Sequence, residues 1–333
     1  MEEKIKISLP KETLELLKKD CEDFKVFKDD EKINMNAFIN ALVVNYYEEF
    51  SASEETLHDD IKKALFSVPE AYKQGAFDEI VKIFAKKEST LDGKRQSASL
   101  SFKPTRQSER AVLFIENILL QNETLSSFYR RMFISYSKKT KNEREKIIHK
   151  ENYELVERAI SRGVKAYIIT RTGLHLTNVS IYATASSKDE LFNYVLSYDG
   201  KSNHTLRLAN IKSISLLGEK SSIPMKNQEL FARQIECAVQ YPMYFSDDTP
   251  IKVRLTEKGK KLFQKIYLYR PTPVLIEGDV YTFNCSANQL LYYFERFGDS
   301  ALIISPKKLG LAMLSFHHFA LKKYRSIYNG RDY

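Results

Sequence analysis

The chain has 333 residues, of which 43% are hydrophobic and 29% are charged, a composition typical of a folded protein with more than one domain. No stretch approaches the roughly 18 apolar residues of a membrane span, and the charged N-terminus gives no sign of a secretory signal. The three cysteines are far apart, which argues against a disulfide framework or a zinc site. We therefore expect a cytoplasmic protein without membrane attachment.

The charge is distributed unevenly along the chain. Residues 1–93 carry 14 Lys and Arg against 21 Asp and Glu, a balance of −7, whereas residues 94–150 and 151–333 each have a balance of +8. A positive field attracts polyanions but confers no sequence preference. Charge alone is therefore compatible both with nucleic-acid binding and with a basic, solubilising surface.

The N-terminal segment is typical of a strand followed by two helices. Residues 4–9 alternate polar and apolar side chains, which predicts a strand with one buried face. Pro10 suits the first turn of a helix, and Asn34 or Asn36 is the predicted N-cap of a second helix. That second helix has three apolar residues on one face, Phe38, Leu42 and Tyr46. The order predicts a ribbon-helix-helix unit over residues 1–50, whose strand requires a partner strand.

The same pattern recurs later in the chain. Residues 99–103 alternate like the first strand, and Thr124 or Ser126 is the predicted cap of a later helix. Three apolar residues of that helix follow their counterparts by 90 positions: Phe128, Met132 and Tyr136. We predict a second unit over residues 97–150 and pairing of the two strands within one chain, with residues 51–96 as a helical connector. The alternative is two unrelated helical hairpins.

The outward face of this predicted ribbon and the starts of its second helices are candidate nucleic-acid contacts. Short polar and basic side chains reach base edges or phosphates, and helix N-termini attract phosphates. The candidates are Lys4, Lys6, Asn36, Lys103, Ser126, Arg130 and Arg131, accompanied on the ribbon by Ser8, Ser99 and Ser101. The alternative for the lysines is a solvated strand edge that prevents aggregation. The excess of acid in the first copy indicates that its helices face protein.

From Val164 onward the pattern changes to short strands separated by turns, which is typical of a small antiparallel barrel or a strongly curled sheet. Residues 151–222 resemble a WYL domain, an Sm-like β-barrel of bacterial transcription regulators and CRISPR accessory proteins. The Trp-Tyr-Leu tripeptide of that family falls on Asn193-Tyr194-Val195, so that only the tyrosine is retained. The basic strand that follows in the family falls on residues 204–211.

The resemblance implies a surface of basic and polar side chains that senses nucleic acid or nucleotides. The matching positions here are Thr170, Arg171, Tyr194, His204 and Arg207, with Lys212 as a substitute for the arginine that Asn210 replaces. An arginine that binds phosphate beside an aromatic ring that stacks on a base suits a single-stranded ligand. The alternative is that Tyr194 belongs to the core and Arg207 to a structural ion pair.

Residues 223–333 contain predicted strands and helices in the order βαββαβ, which is ferredoxin-like and resembles the C-terminal extension of WYL proteins. The last predicted helix, residues 309–324, carries an apolar stripe formed by Leu311, Leu314, His318 and Leu321. The stripe predicts a dimerisation surface. The predicted fold class is thus multi-domain α+β: ribbon-helix-helix units, an Sm-like antiparallel barrel and a ferredoxin-like extension.

The sequence contains no Gly-rich phosphate loop, no Cys-x-x-Cys and no nucleophile elbow, so we expect no enzymatic activity, no cofactor and no metal. The combination of parts resembles the WYL accessory proteins of type VI-D CRISPR systems. That resemblance implies a homodimer that binds single-stranded RNA, with DNA also possible, and stimulates an RNA-guided RNA nuclease. One alternative is a WYL transcription repressor that binds operator DNA through the ribbon. A nuclease subunit is a further alternative, which the missing site residues disfavour.

Overall fold

The computed structural model describes residues 4–28, 32–90, 97–120 and 123–328. The end of the predicted connector, residues 91–96, lies outside them. The chain divides into two compact units, Met1–Lys150 and Glu151–Tyr333, and its architecture is mixed α+β with several antiparallel sheets. Among the described residues, every helix is too short or too polar to cross a membrane.

The first unit combines a two-stranded ribbon with helices. Its elements are β1 (Ile5–Pro10), α1 (Lys11–Asp23), α2 (Met35–Ala64), α3 (Glu70–Thr90), β2 (Ser97–Phe102), α4 (Glu109–Phe114), a π-helical turn (Ile115–Leu119), α5 (Leu125–Lys138) and α6 (Lys141–Ile148). Strands β1 and β2 pair antiparallel, with Ile5 opposite Phe102 and Pro10 opposite Ser97. The predicted pairing of the two strands within one chain is therefore confirmed.

The two helices with matched apolar spacing, α2 and α5, pack against each other. Their six matched residues are all buried: Phe38, Leu42, Tyr46, Phe128, Met132 and Tyr136. Tyr46 and Tyr136, which occupy equivalent positions in the two copies, have ring centroids 6.1 Å apart. Contact between equivalent positions is the arrangement of a self-complementary interface, so the core of this unit has the form of a dimer interface within one chain.

Helix α2 departs from the prediction because it continues beyond residue 50, where the sequence suggested the end of a unit. Residues 35–64 contain neither proline nor glycine, the residues that most often end a helix. The first part of the predicted helical connector, residues 51–64, is consequently a continuation of α2. Pro10, predicted to start a helix, is the last residue of β1 and the N-cap of α1.

The second unit begins within α7 and contains two sheets. Its elements are α7 (Lys150–Arg162), β3 (Val164–Thr170), β4 (His175–Ser186), β5 (Asn193–Tyr198), β6 (Asn203–Arg207), a 3-10 turn (Leu208–Asn210), β7 (Ile211–Lys220), α8 (Met225–Cys237), a second 3-10 turn (Phe245–Asp248), β8 (Ile251–Leu255), α9 (Glu257–Lys265), β9 (Pro273–Glu277), β10 (Val280–Phe283), α10 (Ala287–Phe294), a third 3-10 turn (Glu295–Ser300), β11 (Ala301–Ser305) and α11 (Lys307–Tyr328).

The first sheet of this unit is antiparallel and has the strand order β6-β5-β4-β3-β7. The early residues of the long strand β4 pair with β3 and the later ones with β5, and the register shifts between Ile181 and Ala183. One core of the sheet includes Val156 and Ala159 of α7. Another includes Phe231 of α8.

The predicted barrel is not closed. Within residues 164–220, all of which the structure describes, β6 and β7 lie at opposite edges of the sheet and are not paired. The predicted single strand over residues 204–211 breaks at the 3-10 turn Leu208–Asn210, and the chain there passes from one edge strand to the other. The sheet is therefore open, with the connecting turn between its edges.

The second sheet is also antiparallel, with the order β11-β8-β10-β9. Its core contains Val253 and Phe283 from the central strands and Phe263 and Phe294 from α9 and α10. Leu309 and Met313 of α11 belong to the same core. The first turns of α11 are thus part of this domain, whereas most side chains from residue 314 to 328 are exposed.

Candidate nucleic-acid interface

The ribbon presents a polar face. Lys6 lies opposite Ser101, and Ser8 lies opposite Ser99. All four side chains are exposed. The intervening apolar side chains point inward, as the alternation of a half-buried strand requires. The ribbon therefore offers a short row of hydroxyl and ammonium groups to a ligand.

Lys103 is held at one end of this row by two asparagines. The Asn36 side-chain oxygen Oδ1 accepts the Lys103 backbone N–H at 2.7 Å, and the Asn36 side-chain Nδ2 donates to the Lys103 carbonyl at 3.1 Å. Asn40 donates to the same carbonyl at 3.0 Å. Ile5 pairs with Phe102 at this end of the ribbon, so Lys4 and Lys103 are the residues next to the last pair, and Lys6 lies one residue inside it.

The caps of the two second helices are Asn34 and Thr124, whose side chains accept the N–H groups of Ala37 and Ser127. Asn36, one of the predicted caps, instead uses its side-chain amide to bind the backbone of Lys103. Ser126, the other, lies half-buried inside the first turn of α5.

The two arginines of α5 are both half-buried. The Arg131 guanidinium is bound by the carboxylates of Glu54 and Glu123. It also lies 5.6 Å from the centroid of the Phe50 ring. These are the contacts of a packing residue. Arg130, the neighbouring candidate, lies one position before it on α5.

A second group of predicted residues surrounds the 3-10 turn between β6 and β7. Arg171 donates from its side-chain Nε to the Ala209 carbonyl and from its backbone N–H to the Asn210 carbonyl, both at 2.8 Å. Arg207 precedes this turn and Lys212 follows it. Three predicted cations thus lie around the turn that joins the two edge strands: Arg207 at the end of β6, Lys212 near the start of β7, and Arg171, which is bonded to the turn itself. Thr170 lies beneath them, buried, and its hydroxyl accepts the Leu174 N–H at 3.0 Å.

Tyr194 and Arg207 lie directly opposite each other on β5 and β6. The Arg207 guanidinium carbon is 3.1 Å from the centroid of the Phe192 ring, a cation–π stack. The Tyr194 hydroxyl donates to Glu190 at 2.6 Å, and its ring packs on a small core with Leu196 and Phe231. Tyr194 is therefore a packing residue that lies beside Arg207 in the sheet.

His204 does not join this group. Alternation along β6 places it on the face opposite that of Thr205 and Arg207. Its Nε2 is 2.8 Å from Asp199 Oδ2. Partial burial opposes ionisation of Asp199, but the hydrogen bonds from His204 and from two backbone N–H groups outweigh it and lower the pKa of that carboxyl to about 2. The imidazole is thereby tied to the β5–β6 turn.

Phe192, on which Arg207 stacks, is not among the site residues predicted from the sequence. Phe192 lies two residues before Tyr194 and just outside β5. Its aromatic character was the one available signal, and an isolated Phe at a strand end is ordinary in a core.

Replacing Arg207 by alanine is expected to weaken nucleic-acid binding modestly and to reduce the salt dependence by about one unit of slope, since one phosphate contact is lost. Affinity is measured by fluorescence anisotropy at several salt concentrations, beside a thermal melt. The matched control is Lys220→Ala, an exposed cation at the far end of β7. A sharp fall in melting temperature with an unchanged salt slope would instead make Arg207 a structural residue.

The comparisons with known proteins concern the fold. No protein-family model matches the sequence, and a search of curated proteins finds no significant match. The crystal structure of a CRISPR Cas-related protein superimposes with a TM-score of 0.62, covering 98% of this chain and 95% of its own, at 18% sequence identity. This likeness shows that the two chains share a fold. The proteasome accessory factor B/C (PafBC) of Arthrobacter aurescens matches with a TM-score of 0.24 and 14% identity over 68% of this chain and 40% of its own, which is too low to carry an argument.

Proposed function

We propose that this chain is a non-enzymatic, cytoplasmic regulator that binds single-stranded RNA and stimulates an RNA-guided CRISPR RNA nuclease, in the manner of a type VI-D accessory protein. The observation that carries the proposal is the fold shared with a CRISPR Cas-related protein over nearly the whole of both chains. An accessory role also agrees with a sequence in which no catalytic motif stands out.

The proposed domain assignments follow from element order. We assign the two copies in the first unit to ribbon-helix-helix units, because each places a strand before two helices and the strands pair as a ribbon. We assign the open five-stranded sheet to an Sm-like WYL domain. The second sheet is assigned a ferredoxin-like fold, since its βαββαβ order and its strand order β11-β8-β10-β9 are those of that motif.

Single-stranded RNA is the preferred ligand because of the edge beside the 3-10 turn Leu208–Asn210. Arg171, Arg207 and Lys212 supply positive charge there, and Phe192 supplies an aromatic ring, on which Arg207 stacks. Cations that follow a backbone together with aromatic faces are the usual elements of single-strand binding. The acidic balance of residues 1–93 opposes a duplex backbone near the ribbon.

The test adds the purified protein to the guided nuclease and its target RNA and measures the cleavage rate. We expect the nuclease to cleave its target RNA faster with this protein than without it, and we expect no cleavage by the protein alone. The same preparation is compared for affinity to single-stranded RNA, single-stranded DNA and duplex DNA at one stated salt concentration. An unchanged cleavage rate contradicts the proposal.

A second candidate function is operator binding by a transcription repressor. The exposed row formed by Lys6, Ser8, Ser99 and Ser101 supports it, because a two-stranded ribbon fits the major groove. In that case a gel shift would show tight, sequence-specific binding to promoter duplex, and Lys6→Ala would abolish the sequence preference. No stimulation of the nuclease together with this duplex binding would favour the repressor.

We further propose that two copies associate through α11. Leu311, Leu314 and Leu321 are 51%, 64% and 47% exposed, and with His318 they follow a three-four spacing. This is the spacing by which two like helices pack in a coiled coil. The same helix is anchored by Leu309 and Met313 in its own domain, so the stripe is presented on a fixed support.

The expected outcome of a Leu314→Glu, Leu321→Glu double variant is a monomer with the melting temperature of the unaltered chain. Burying the two introduced carboxylates at a dimer interface is unfavourable, whereas the same carboxylates on an exposed helix change the stability of the monomer little. Sedimentation equilibrium measures the mass. Substitution is preferable to deletion of α11, because deletion also removes Leu309 and Met313 from the core. Lys322→Glu on the exposed part of the same helix is the control. A variant that remains dimeric would rule out this interface.

A further inference from the structure

A cavity of about 480 Å³ lies between α8 and the 3-10 turn Phe245–Asp248. It is lined by Lys226, Glu229, Leu230, Arg233 and Phe245. Its volume falls within the range of sites that hold a small ligand of nucleotide size. None of these residues belongs to the edge around Arg207, so the cavity is a separate feature of the second unit.

Four of the lining residues form one stripe on α8. Positions 226, 229, 230 and 233 have the i, i+3, i+4, i+7 spacing that places side chains on one face of a helix. The neighbouring face of α8 is fixed to β6: Asn227 donates to Asn203 at 2.8 Å and Gln234 donates to Thr205 at 2.9 Å. The stripe is therefore presented by a helix that is fixed in position.

The cations of the cavity are placed differently. Lys226 is exposed at the first turn of α8. Arg233 is half-buried, and its Nη2 donates to the Asn284 side chain at 2.8 Å and to the Asp247 carbonyl at 3.4 Å. These bonds fix the guanidinium beside the turn that carries Phe245. Lys226 and Arg233 are about two helical turns apart, a spacing across which two long cationic side chains suit one phosphate group that accepts from both.

The aromatic side of the cavity is unusually exposed. Tyr244 and Phe245 are 52% and 54% exposed, and Met225 beside Lys226 is 69% exposed. The turn is nonetheless ordered, because the Asp247 carboxylate accepts the Tyr244 N–H at 3.0 Å. Large aromatic side chains left in water beside cations are typical of stacking platforms for nucleic-acid bases.

We propose that this cavity binds one nucleotide, with its base stacked on Phe245 and its phosphate between Lys226 and Arg233. Glu229 carries only acceptors when ionised, so it faces the N–H groups of the base edge. Leu230, which is buried, forms an apolar floor. Both a residue of single-stranded RNA and a free mononucleotide supply this chemistry. Binding of an RNA residue in this cavity rests on the RNA binding proposed above, whereas binding of a free mononucleotide does not.

The test uses the full chain and two ligands, AMP and a fluorescently labelled single-stranded RNA, with Phe245→Leu and Lys226→Ala as variants. A stacked base contributes about 1–3 kcal/mol, so Phe245→Leu is expected to weaken AMP binding at least about five-fold. Lys226→Ala is expected to weaken AMP binding and to reduce the salt dependence. Both variants alter exposed side chains, and a thermal melt checks that they remain folded. Lys258→Ala, an exposed cation on α9, is the matched control and should bind like the unaltered chain.

The two ligands separate this inference from the proposed function. If both variants bind AMP and RNA like the unaltered chain, the cavity is not a nucleotide site, although RNA binding still stands. If AMP binding depends on Phe245 and Lys226 but the chain binds no RNA, the cavity is a site for free nucleotides and the proposed RNA binding is wrong. If the variants bind both AMP and RNA more weakly than the unaltered chain does, the cavity holds a residue of the bound RNA.

Discussion

Replacing Asp20 by alanine is expected to destabilise the first unit by about 3–5 kcal/mol, the usual result of removing one partner of a buried ion pair. Asp20 is 1% exposed. Arg144 donates to its two oxygens from Nε at 2.7 Å and from Nη2 at 3.0 Å, and Tyr136 donates at 3.1 Å. Removing the carboxylate leaves a buried guanidinium without its counterion.

The measurement is urea unfolding followed by circular dichroism and tyrosine fluorescence, since the chain has no Trp. The two units can unfold separately, so the loss should appear in one transition. Lys11→Ala is the control, because the Lys11–Glu15 pair is exposed and should change the free energy of unfolding by less than about 0.5 kcal/mol. The double variant with Arg144→Met should recover part of the loss, because no unpaired charge remains. A loss below about 1 kcal/mol for Asp20→Ala contradicts the argument.

The ribbon and its helices were predictable because their signals are local. Residues 4–9 and 99–103 alternate with the period of a strand, and the matched spacing of two helices indicated that the copies belong together. By contrast, the pair Asp20 and Arg144 is 124 residues apart. Each is one charged residue among many, and no periodicity distinguishes a buried charge from a solvated one before the helices are packed.

The break between β6 and β7 was not predictable for a related reason. Leu208 and Ala209 are apolar and fit a continuous strand, so residues 204–211 were interpreted as one element. The turn is stabilised by donors from Arg171, which lies 38 residues earlier. A tertiary contact therefore overrides the local pattern here. Helix α8 was missed as well, although residues 225–237 carry the stripe that lines the proposed nucleotide cavity.

The candidate site was predictable in part. Tyr194 and Arg207, which the resemblance assigned to one surface, are cross-strand neighbours on β5 and β6. His204 was assigned to the same surface, yet the period of two along β6 places it on the other face. The spacing of three residues between His204 and Arg207 already implies opposite faces of one strand, so this part of the assignment could have been corrected from the sequence alone.

The second prediction with a large effect is Gly259→Ala in α9, which should destabilise the four-stranded sheet by about 3 kcal/mol, the upper end of the usual cost of overpacking. A Cβ at this position would lie 2.1 Å from the Ser300 carbonyl oxygen. That oxygen accepts the Thr256 N–H at 3.1 Å, which ties the start of α9 to the residue before β11. The clash is with backbone rather than with a flexible side chain, so relief requires α9 and β11 to separate, and overpacking of this kind is costly. Thermal and urea unfolding measure the loss.

The expected loss of stability is opposite in sign to the effect of helix propensity, so the substitution distinguishes the packing contact from propensity. In an exposed helix, alanine is favoured over glycine by about 1 kcal/mol. Gly75→Ala in α3 is the matched control, because no atom lies within 4 Å of the added Cβ, and it should stabilise the chain by about 0.5–1 kcal/mol. If Gly259→Ala behaves like Gly75→Ala, then α9 does not pack against Ser300 as described. Opposite signs for the same substitution in two helices would show that contact with the β11 segment, and not propensity, decides the residue at position 259.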